Sequence, residues 1–373
     1  MKKVGIVYND IFVEHRTNGR YAGHPECRER LETTVSKLKE HEMLGDDANE
    51  HFIHLDPRMA DEEQIKWAHD PILIEQVQRA VKKAKGNSRV HLDGDTPVSS
   101  QSYDAALYAA GGNFSAIDAI FNGKINRAFI LCRPPGHHAN KTRARGFCLF
   151  NNVVLATHYL AKEKGLKKIA IVDFDVHAGN GTEDLLWNGI PGSDAEVLMI
   201  SSHQDPRSFY PFECFPHDIG ADKEEGKIIN ITLAPDSSDD SMNYAFKNLT
   251  LPALEEFKPE FILVSAGFDA HKSDPIGGLS LTVQQYGEMI KKLNKVSEKY
   301  AKGRLMATLE GGYNLSALSK SIANVVHTMS DDRNVEMEDE YDEDSRVFEY
   351  TMHKVVPGIH EILAPYWGCF ESD

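Results

Sequence analysis

Apolar runs of five or six residues recur along the chain and alternate with longer amphipathic stretches. Each run is too short for a helix, and most are rich in β-branched residues, which is typical of strands buried on both faces. The predicted strands cover residues 4–8, 127–132, 168–173, 196–201, 228–233, 261–265 and 305–309. Strands that alternate with helices predict an α/β fold, with a central, mostly parallel sheet covered by helices on both faces. A functional site is then expected at the carboxyl ends of the strands.

Helical periodicity fills most of the gaps between these runs. Helices are predicted over residues 25–39, 62–85 with a break near Asp70, 103–121, 152–164, 240–257, 282–301 and 316–329. Pro25 is expected in the first turn of the first helix, where its missing N–H costs nothing. Gly111 and Gly112 indicate that another segment packs closely against the helix over 103–121. Residues 12–21 and 91–99 are predicted to be loops.

The absence of repeats and of a convincing linker predicts one domain over residues 1–373. It divides into a core of about 1–330, an acidic segment 331–344 and a C-terminal extension 345–373. The acidic segment holds nine acids against Arg333, within a chain of net charge −16. It is predicted to be a solvated loop or tail, with docking to a partner as the alternative. Direct nucleic-acid binding is not expected of so acidic a chain, whereas cationic ligands are attracted.

Cysteine usage and hydropathy bear on the compartment. The cysteines are scattered and include no C-x-x-C pair: Cys27, Cys132, Cys148, Cys214 and Cys369. This pattern argues against a disulfide framework or a thiolate zinc site and favours a reducing compartment. The N-terminus does not resemble a signal peptide, and no run approaches the roughly 20 apolar residues of a membrane span. A soluble, cytoplasmic protein without a membrane partner is expected.

Four predicted strands end in clusters of polar and glycine residues at the same edge of the sheet. The clusters are Arg133-Pro-Pro-Gly-His-His138, Asp173-Phe-Asp-Val-His177, Ser265-Ala-Gly-Phe-Asp269 and Glu310-Gly-Gly-Tyr313. Alternate residues of an extended segment point to one side, so Asp175 and His177 can face one point. With Asp269 they would give zinc three ligands and an open fourth position, as in catalytic sites. Taken alone, the same acids could instead cap the helix that follows.

The paired histidines and a tyrosine supply the remaining chemistry. His137 and His138 each need an orienting partner, and Asp173 and Asn180 are available. An Asp partner favours imidazolium, whereas a neutral Asn leaves its imidazole nearer the free pKa and better able to move a proton. Tyr313 could donate a hydrogen bond to an oxyanion, although its glycine-rich segment alone is also an ordinary turn.

These strand ends, together with Gly146-Phe-Cys-Leu-Phe-Asn-Asn152, resemble the motifs of the histone deacetylase family. That family includes the acetylpolyamine amidohydrolases and has the arginase-like fold. The motifs occur in family order from His24-Pro25 to about residue 328, which is most of the chain. The resemblance implies a single-domain arginase/deacetylase-like fold. It also implies zinc-dependent hydrolysis of the amide of an N-acetylated amine, usually acetyl-lysine.

The resemblance also implies roles for single residues. The zinc ligands would be Asp175, His177 and Asp269. The catalytic residues would be His137, His138, Tyr313, Asp173 and Asn180, with His138 as the general base and acid. Substrate would be bound by Phe147 and Tyr210 as tunnel walls, Gly146 beside them, Ile276, and Asp95 at the rim. A potassium ion near the zinc would be bound by Asp173, Asp175, His177 and Ser201.

Ile276 discriminates between the two candidate substrates, acetyl-lysine and an acetylated polyamine. Polyamine-selective relatives resemble one another in having Glu there, and an aliphatic residue cannot pair with a distant ammonium group. The sequence therefore favours acetyl-lysine in a protein or peptide over an acetylated polyamine. The intact histidines, ligands and tyrosine argue against a non-catalytic binding scaffold, and the loops offer too few ligands for a two-metal ureohydrolase. Two departures from the family pattern are Ala178, where many members have a second His, and the rim segment 212–217.

Overall fold

The sheet at the centre of the computed structural model contains eight strands within the described residues 1–18, 23–86, 88–331, 333–337 and 343–371. In chain order the strands are β1 (Val4–Val7), β2 (Phe52–Leu55), β3 (Val90–His91), β4 (Pro97–Val98), β5 (Arg127–Ile130), β6 (Lys168–Asp173), β7 (Glu196–Gln204), β8 (Ile228–Leu233), β9 (Phe261–Ala266) and β10 (Leu305–Leu309). The sheet order is β2-β1-β5-β10-β9-β6-β7-β8, and every neighbouring pair is parallel. A small antiparallel pair, β3 and β4, lies apart from it.

The helices fill the connections between these strands. They are α1 (Glu29–Glu40), α2 (Glu62–Ile65), α3 (Pro71–Lys83), α4 (Ser102–Phe121), α5 (Asn152–Lys164), α6 (Asn180–Leu186), α7 (Asp239–Ala245), α8 (Leu251–Phe257), α9 (Val283–Tyr300), α10 (Leu315–Asp331), α11 (Ser345–Tyr350) and α12 (Val356–Leu363). One π-helical turn joins α7 to α8 and another joins α11 to α12. None of the helices in the described part of the chain combines the length and apolarity that a membrane crossing requires.

Strands that are buried on both faces of the sheet could be predicted from the sequence, because they form continuous apolar runs. The central strands β9 and β10 are buried at every position, because both faces of the sheet are covered. The prediction of a parallel, helix-covered sheet in a single domain is confirmed. The edge strand β2 was missed because it is only partly buried, with His54 exposed, and therefore lacks a continuous apolar run.

The long helix α4 packs directly against the backbone of another segment. A Cβ at Gly111 would lie 2.0 Å from the carbonyl oxygen of Arg58. Only glycine permits this approach, which confirms the predicted close packing. The predicted break between α2 and α3 is confirmed as well, since Pro71 is the first residue of α3 and Asp70 caps it through the N–H of Ile72.

The N-terminal region corrects two predictions. Residues 12–21 were predicted to be a surface loop, but a 3₁₀ helix covers Asp10–Glu14 and buries Phe12; residues 19–21 lie outside the described part. The first helix begins at Glu29, not at Pro25, because the chain before it turns to place the side chain of Glu26 in the interior. A buried carboxylate needs partners, and Glu26 finds them on other elements.

The acidic segment is anchored at two points rather than being solvated throughout. Glu336 accepts a hydrogen bond from His41 at 2.7 Å and lies 3.2 Å from Lys37 of α1. Glu343 accepts from the backbone N–H groups of Ser238 and Ser241 at 3.1 and 2.9 Å and so caps the N-terminus of α7. The prediction is therefore wrong at these two residues, while residues 332 and 338–342 lie outside the described part.

Candidate active site

The four strands that carry the polar clusters are neighbours at the centre of the sheet, in the order β5-β10-β9-β6. Asp173, at the end of β6, is in register with Ser265 of β9, which is in register with Thr308 of β10. Because these parallel strands are in register, their carboxyl ends lie side by side, and the loops that follow them converge at one edge of the sheet. The predicted convergence of the four clusters is what the structure contains.

Asp175, His177 and Asp269 form a buried cluster whose ligand atoms all lie within 4.8 Å of one another. His177 Nδ1 is 3.1 Å from Asp175 Oδ1 and 3.2 Å from Asp269 Oδ2. The remaining carboxylate oxygens are held by backbone groups: Asp269 Oδ1 accepts from the N–H of Val176, and Asp175 Oδ2 from that of Gly311, both at 2.9 Å. Each carboxylate of the cluster is therefore fixed by the backbone of a loop that follows a neighbouring strand.

This cluster fits a metal ion. Among the described residues Asp269 Oδ2 has no hydrogen-bond partner although it is fully buried. Burial and the charge of Asp175 raise the pKa of Asp269 to about 7, because two carboxylates at one point repel each other. A divalent cation would give Asp269 Oδ2 a partner and would offset the repulsion between the two carboxylates. One imidazole with two carboxylates is a donor set that zinc accepts. A side chain at Gly311 would close the site, since its Cβ would lie 2.0 Å from Asp269 Oδ2.

His137 faces the buried carboxylates, as its predicted pairing with Asp173 requires. Its Nδ1 lies 3.1 Å from Asp173 Oδ2, and its Nε2 lies 3.8 Å from Asp175 Oδ2. Burial alone would lower the pKa of His137, but the charges of Asp175 and Asp173 outweigh it and raise the pKa to about 10. Glu310 orients the same loop by accepting from the N–H groups of Gly136 at 2.6 Å and of His137 at 3.1 Å.

His138 pairs with Asn180, as predicted, at a distance of 2.7 Å between Nδ1 and Oδ1. Its pKa lies well below 6.5, because burial and the charges of His137 and His177 disfavour the imidazolium. The expected pKa near the free value is therefore corrected downwards. The amide nitrogen of Asn180 donates to Glu213 at 2.5 Å, a contact that the sequence did not predict.

Tyr313 lies half-buried in the loop after β10 and is positioned by Asp274 and Arg30, to which no role was assigned from the sequence. Its backbone N–H donates to Asp274 Oδ2 at 2.7 Å. The guanidinium of Arg30 stacks on the Tyr313 ring at 5.1 Å and donates to the carbonyl oxygens of Glu310 and Gly312, both at 2.6 Å. Aspartate and arginine side chains that bond to loop backbone carry no sequence signal that distinguishes them from ordinary surface charges.

The charge of Arg30 is balanced inside the protein by Glu26. This carboxylate accepts from Arg30 Nη1 at 3.0 Å and from Arg133 Nη2 at 2.8 Å, and it lies 3.5 Å from His15 Nε2. Glu26, Arg30 and Arg133 are fully buried, and His15 nearly so. We call these four residues the buried ion cluster, and it supports the Tyr313 loop from beneath.

Aromatic residues line the approach to the site. Phe147 contacts Tyr313 edge to face at 5.8 Å, and Tyr210 contacts His138 in the same way at 5.1 Å. Both residues therefore lie beside the predicted catalytic groups, as tunnel walls would. A Cβ at Gly146 would lie 2.4 Å from His138 Cδ2, so only glycine fits between them. Phe209, which was not predicted, stacks on the His177 ring at 4.9 Å.

The predicted rim residues lie further out. Asp95 is exposed, and its neighbour Thr96 accepts a hydrogen bond from the N–H of Phe147 at 3.1 Å, which places the carboxylate next to a tunnel wall. Ile276 is half-buried, and its N–H donates to Asp274 Oδ1 at 3.1 Å. Asp274 thus connects the Ile276 loop to Tyr313.

Two further positions were singled out by the sequence. Ser201 is buried and in register with Asp173, but its hydroxyl lies 2.8 Å from His203 Nδ1; the potassium site stays a prediction. Ala178 is buried, and its carbonyl accepts the N–H of Asn180 at 2.8 Å, which turns the chain toward α6. Its side chain is not part of the ligand set.

Comparisons with known proteins show which family and fold the chain resembles. A family model described as the histone deacetylase domain matches residues 24–329. A probable deacetylase of Archaeoglobus fulgidus is 37% identical over 311 residues, which are 83% of this chain and 81% of that protein. Histone deacetylase 14, chloroplastic, of Arabidopsis thaliana is 33% identical over 89% of this chain and 78% of its own. The crystal structure of the HDA15 HD domain superposes with a TM-score of 0.86 at 27% identity, covering 99% of this chain and 97% of that one.

Proposed function

This chain belongs to the histone deacetylase family of hydrolases, and from that premise we propose that it is a zinc-dependent deacetylase of N-acetyl-lysine in proteins or peptides. The observation that supports the proposal most strongly is the convergence of Asp175, His177 and Asp269 beside His138 within one buried site. Phe147 and Tyr210 flank this site and suit a long alkyl side chain that enters between aromatic walls.

Each polar residue has a task in this proposal. His138 Nδ1 donates to Asn180, so Nε2 keeps the lone pair that accepts a proton from the attacking water and later returns it to the leaving amine. The Tyr313 hydroxyl donates to the oxyanion that forms from the acetyl carbonyl. The cluster of Asp175, His177 and Asp269 would hold zinc, which supplies Lewis acidity to the water and the carbonyl. His137 keeps its proton between two carboxylates and contributes positive charge.

The choice of substrate rests on Ile276 and the rim. An aliphatic side chain at this half-buried position offers no carboxylate to a second ammonium group, which disfavours an acetylated polyamine. The exposed carboxylate of Asp95 next to Phe147 is placed to accept from a peptide backbone N–H. Both features favour acetyl-lysine within a polypeptide.

The test compares hydrolysis of an acetyl-lysine peptide with that of an acetylated polyamine, each with and without a hydroxamate chelator. The proposal expects a higher kcat/KM on the peptide and loss of both activities with the chelator. The matched variant Ile276→Glu is expected to shift the ratio toward the polyamine. Faster hydrolysis of the polyamine by the unmodified protein would contradict the substrate, and activity that resists both the chelator and zinc removal would contradict the chemistry.

A further inference from the structure

The side chain of Glu213 lies on the outer side of the site, next to the partner of His138. Glu213 belongs to the rim segment 212–217 and is about half exposed. Its Oε2 accepts from the amide nitrogen of Asn180 at 2.5 Å. Asn180 in turn lies 2.7 Å from His138 Nδ1 through its amide oxygen. The three side chains form a continuous hydrogen-bonded chain from the rim to the general base.

We propose that Glu213 is a positioning residue, whose carboxylate fixes the orientation of the Asn180 amide and thereby determines which nitrogen of His138 carries the proton. The inference deepens the proposed function, on which its rate measurements depend.

The donors and acceptors of these three side chains determine the direction of each hydrogen bond. An asparagine amide can present either its oxygen or its nitrogen to a neighbour. An ionised carboxylate accepts only, so Glu213 requires the amide nitrogen and turns the oxygen toward His138. An oxygen at this place obliges His138 Nδ1 to donate, which leaves Nε2 unprotonated. If the amide flipped, its nitrogen would face Nδ1, the proton would move to Nε2, and the general base would be lost.

Other contacts hold Glu213 in place. Arg145 Nη1 lies 3.3 Å from both of its carboxylate oxygens, and Arg145 Nε donates to the Tyr210 hydroxyl at 3.3 Å. The next residue, Cys214, is buried, and its carbonyl accepts from His203 at 3.1 Å. Phe212 and Cys214, on either side of Glu213, have φ values of 65° and 67°, a conformation that side chains adopt only where the surroundings enforce it.

The first experiment needs no activity. Nitrogen-15 NMR of histidine-labelled protein reports the tautomer of His138, whose signals are assigned from their loss in His138→Gln. The expected result is a ring protonated at Nδ1 in the unmodified protein and a mixture of tautomers in Glu213→Ala. An unchanged tautomer in Glu213→Ala would overturn the proposal. Because the measurement does not use substrate, it decides the point even if the protein fails to hydrolyse acetyl-lysine.

The second experiment is a double-mutant cycle on the acetyl-lysine peptide. Glu213→Ala should lower kcat about tenfold with little change in KM, a typical effect for an orienting partner beyond the reacting groups. Asn180→Asp places two carboxylates face to face and should also lower kcat. Glu213→Gln should lower kcat in the unmodified protein but raise it in Asn180→Asp, since Gln can donate to Asp. An equal effect of Glu213→Gln in both backgrounds would overturn the proposal. Glu349→Gln, an exposed charge on α11, is the control.

Discussion

His137 and His138 are adjacent in the sequence and their rings lie 4.0 Å apart, yet their surroundings differ in kind. His137 faces inward, toward Asp173, a carboxylate that is fully buried at the end of a central strand. His138 faces outward, and its hydrogen bonds lead through Asn180 to Glu213 at the rim. On the inner side, the partner of the imidazole is a buried carboxylate. On the outer side, the partner is a neutral amide, which contacts the half-exposed carboxylate of Glu213.

Because their partners differ, the two imidazoles have pKa values shifted in opposite directions. Two carboxylates, Asp175 and Asp173, stabilise the imidazolium of His137 and raise its pKa to about 10. An amide cannot stabilise a charge to the same degree, so His138 stays neutral and able to accept a proton. In the proposed function, one pair of neighbouring residues thus provides a cation and a base, because one ring is partnered by a carboxylate and the other by an amide.

The strongest test of the inner side removes a proposed metal ligand. His177→Ala is expected to abolish activity and stoichiometric zinc, since catalytic zinc sites depend on three protein ligands. Zinc content is measured by elemental analysis of protein that remains folded by circular dichroism. Glu183→Gln, which alters a buried acid outside the ligand set, should keep its zinc. Full zinc content in His177→Ala would show that the inner side does not hold the metal.

The second test concerns the stability of the buried ion cluster. Burial alone would raise the pKa of Glu26, but the charges of Arg133, His15 and Arg30 outweigh it and lower the pKa to about 2. The carboxylate therefore contributes stability that is present above its unfolded pKa of about 4.5 and is lost as the pH falls toward 2. Glu26→Gln should lower the free energy of unfolding by about 3–5 kcal/mol at pH 7, since it leaves buried cations uncompensated.

Urea unfolding of Glu26→Gln and of the unmodified protein between pH 7 and pH 2 measures this effect. The difference should be constant down to about pH 4.5 and shrink below it. Glu32→Gln is the matched control, because Glu32 of α1 pairs with Arg28 at the protein surface and should matter little. Equal losses in the two variants would mean that burial does not distinguish the two ion pairs.

The third test addresses Tyr313, whose loop is supported by Arg30 and whose hydroxyl is proposed to contact the substrate. Tyr313→Phe removes one oxyanion donor and is expected to lower kcat by about 10²–10³. Zinc content and substrate affinity should be retained, because Asp274 and Arg30 hold the loop through its backbone and ring. Tyr300→Phe, which removes a hydroxyl remote from the site, is the control. A kcat within a few-fold of the unmodified protein would exclude Tyr313 from the chemistry.

The sequence predicted the inner side better than the outer side, for a physical reason. Strand ends bring residues together by register, so Asp173, Asp175 and Asp269 could be placed near one another from the order of apolar runs alone. Their burial then follows from the continuous apolar strands that carry them. The burial of Glu26 was not predicted, because the sequence places it in the first turn of a helix, whereas the chain turns there before α1 begins and buries it.

The outer side depends on loops whose path no periodicity encodes. Glu213 was recognised only as part of a segment that leaves the family pattern, and Asp274 was given no role. Their partners are a side-chain amide and backbone N–H groups from distant parts of the chain. Such contacts become visible only when loops from several strands are placed in space together.

The smallest expected effect is that of Tyr210→Phe, which tests whether the tunnel wall contributes to orienting His138. Tyr210→Phe removes the hydroxyl that accepts from Arg145, a contact that is long at 3.3 Å and half-buried. A hydrogen bond this long contributes about 0.5 kcal/mol, the lower end of the usual range, so KM should change by about two- to threefold with kcat unaffected. Glu213→Ala, by contrast, should change kcat and leave KM. If Tyr210→Phe lowered kcat as much as Glu213→Ala does, the Tyr210 hydroxyl would act on His138 through Arg145 and Glu213. Tyr210 would then help to orient the base rather than only line the tunnel.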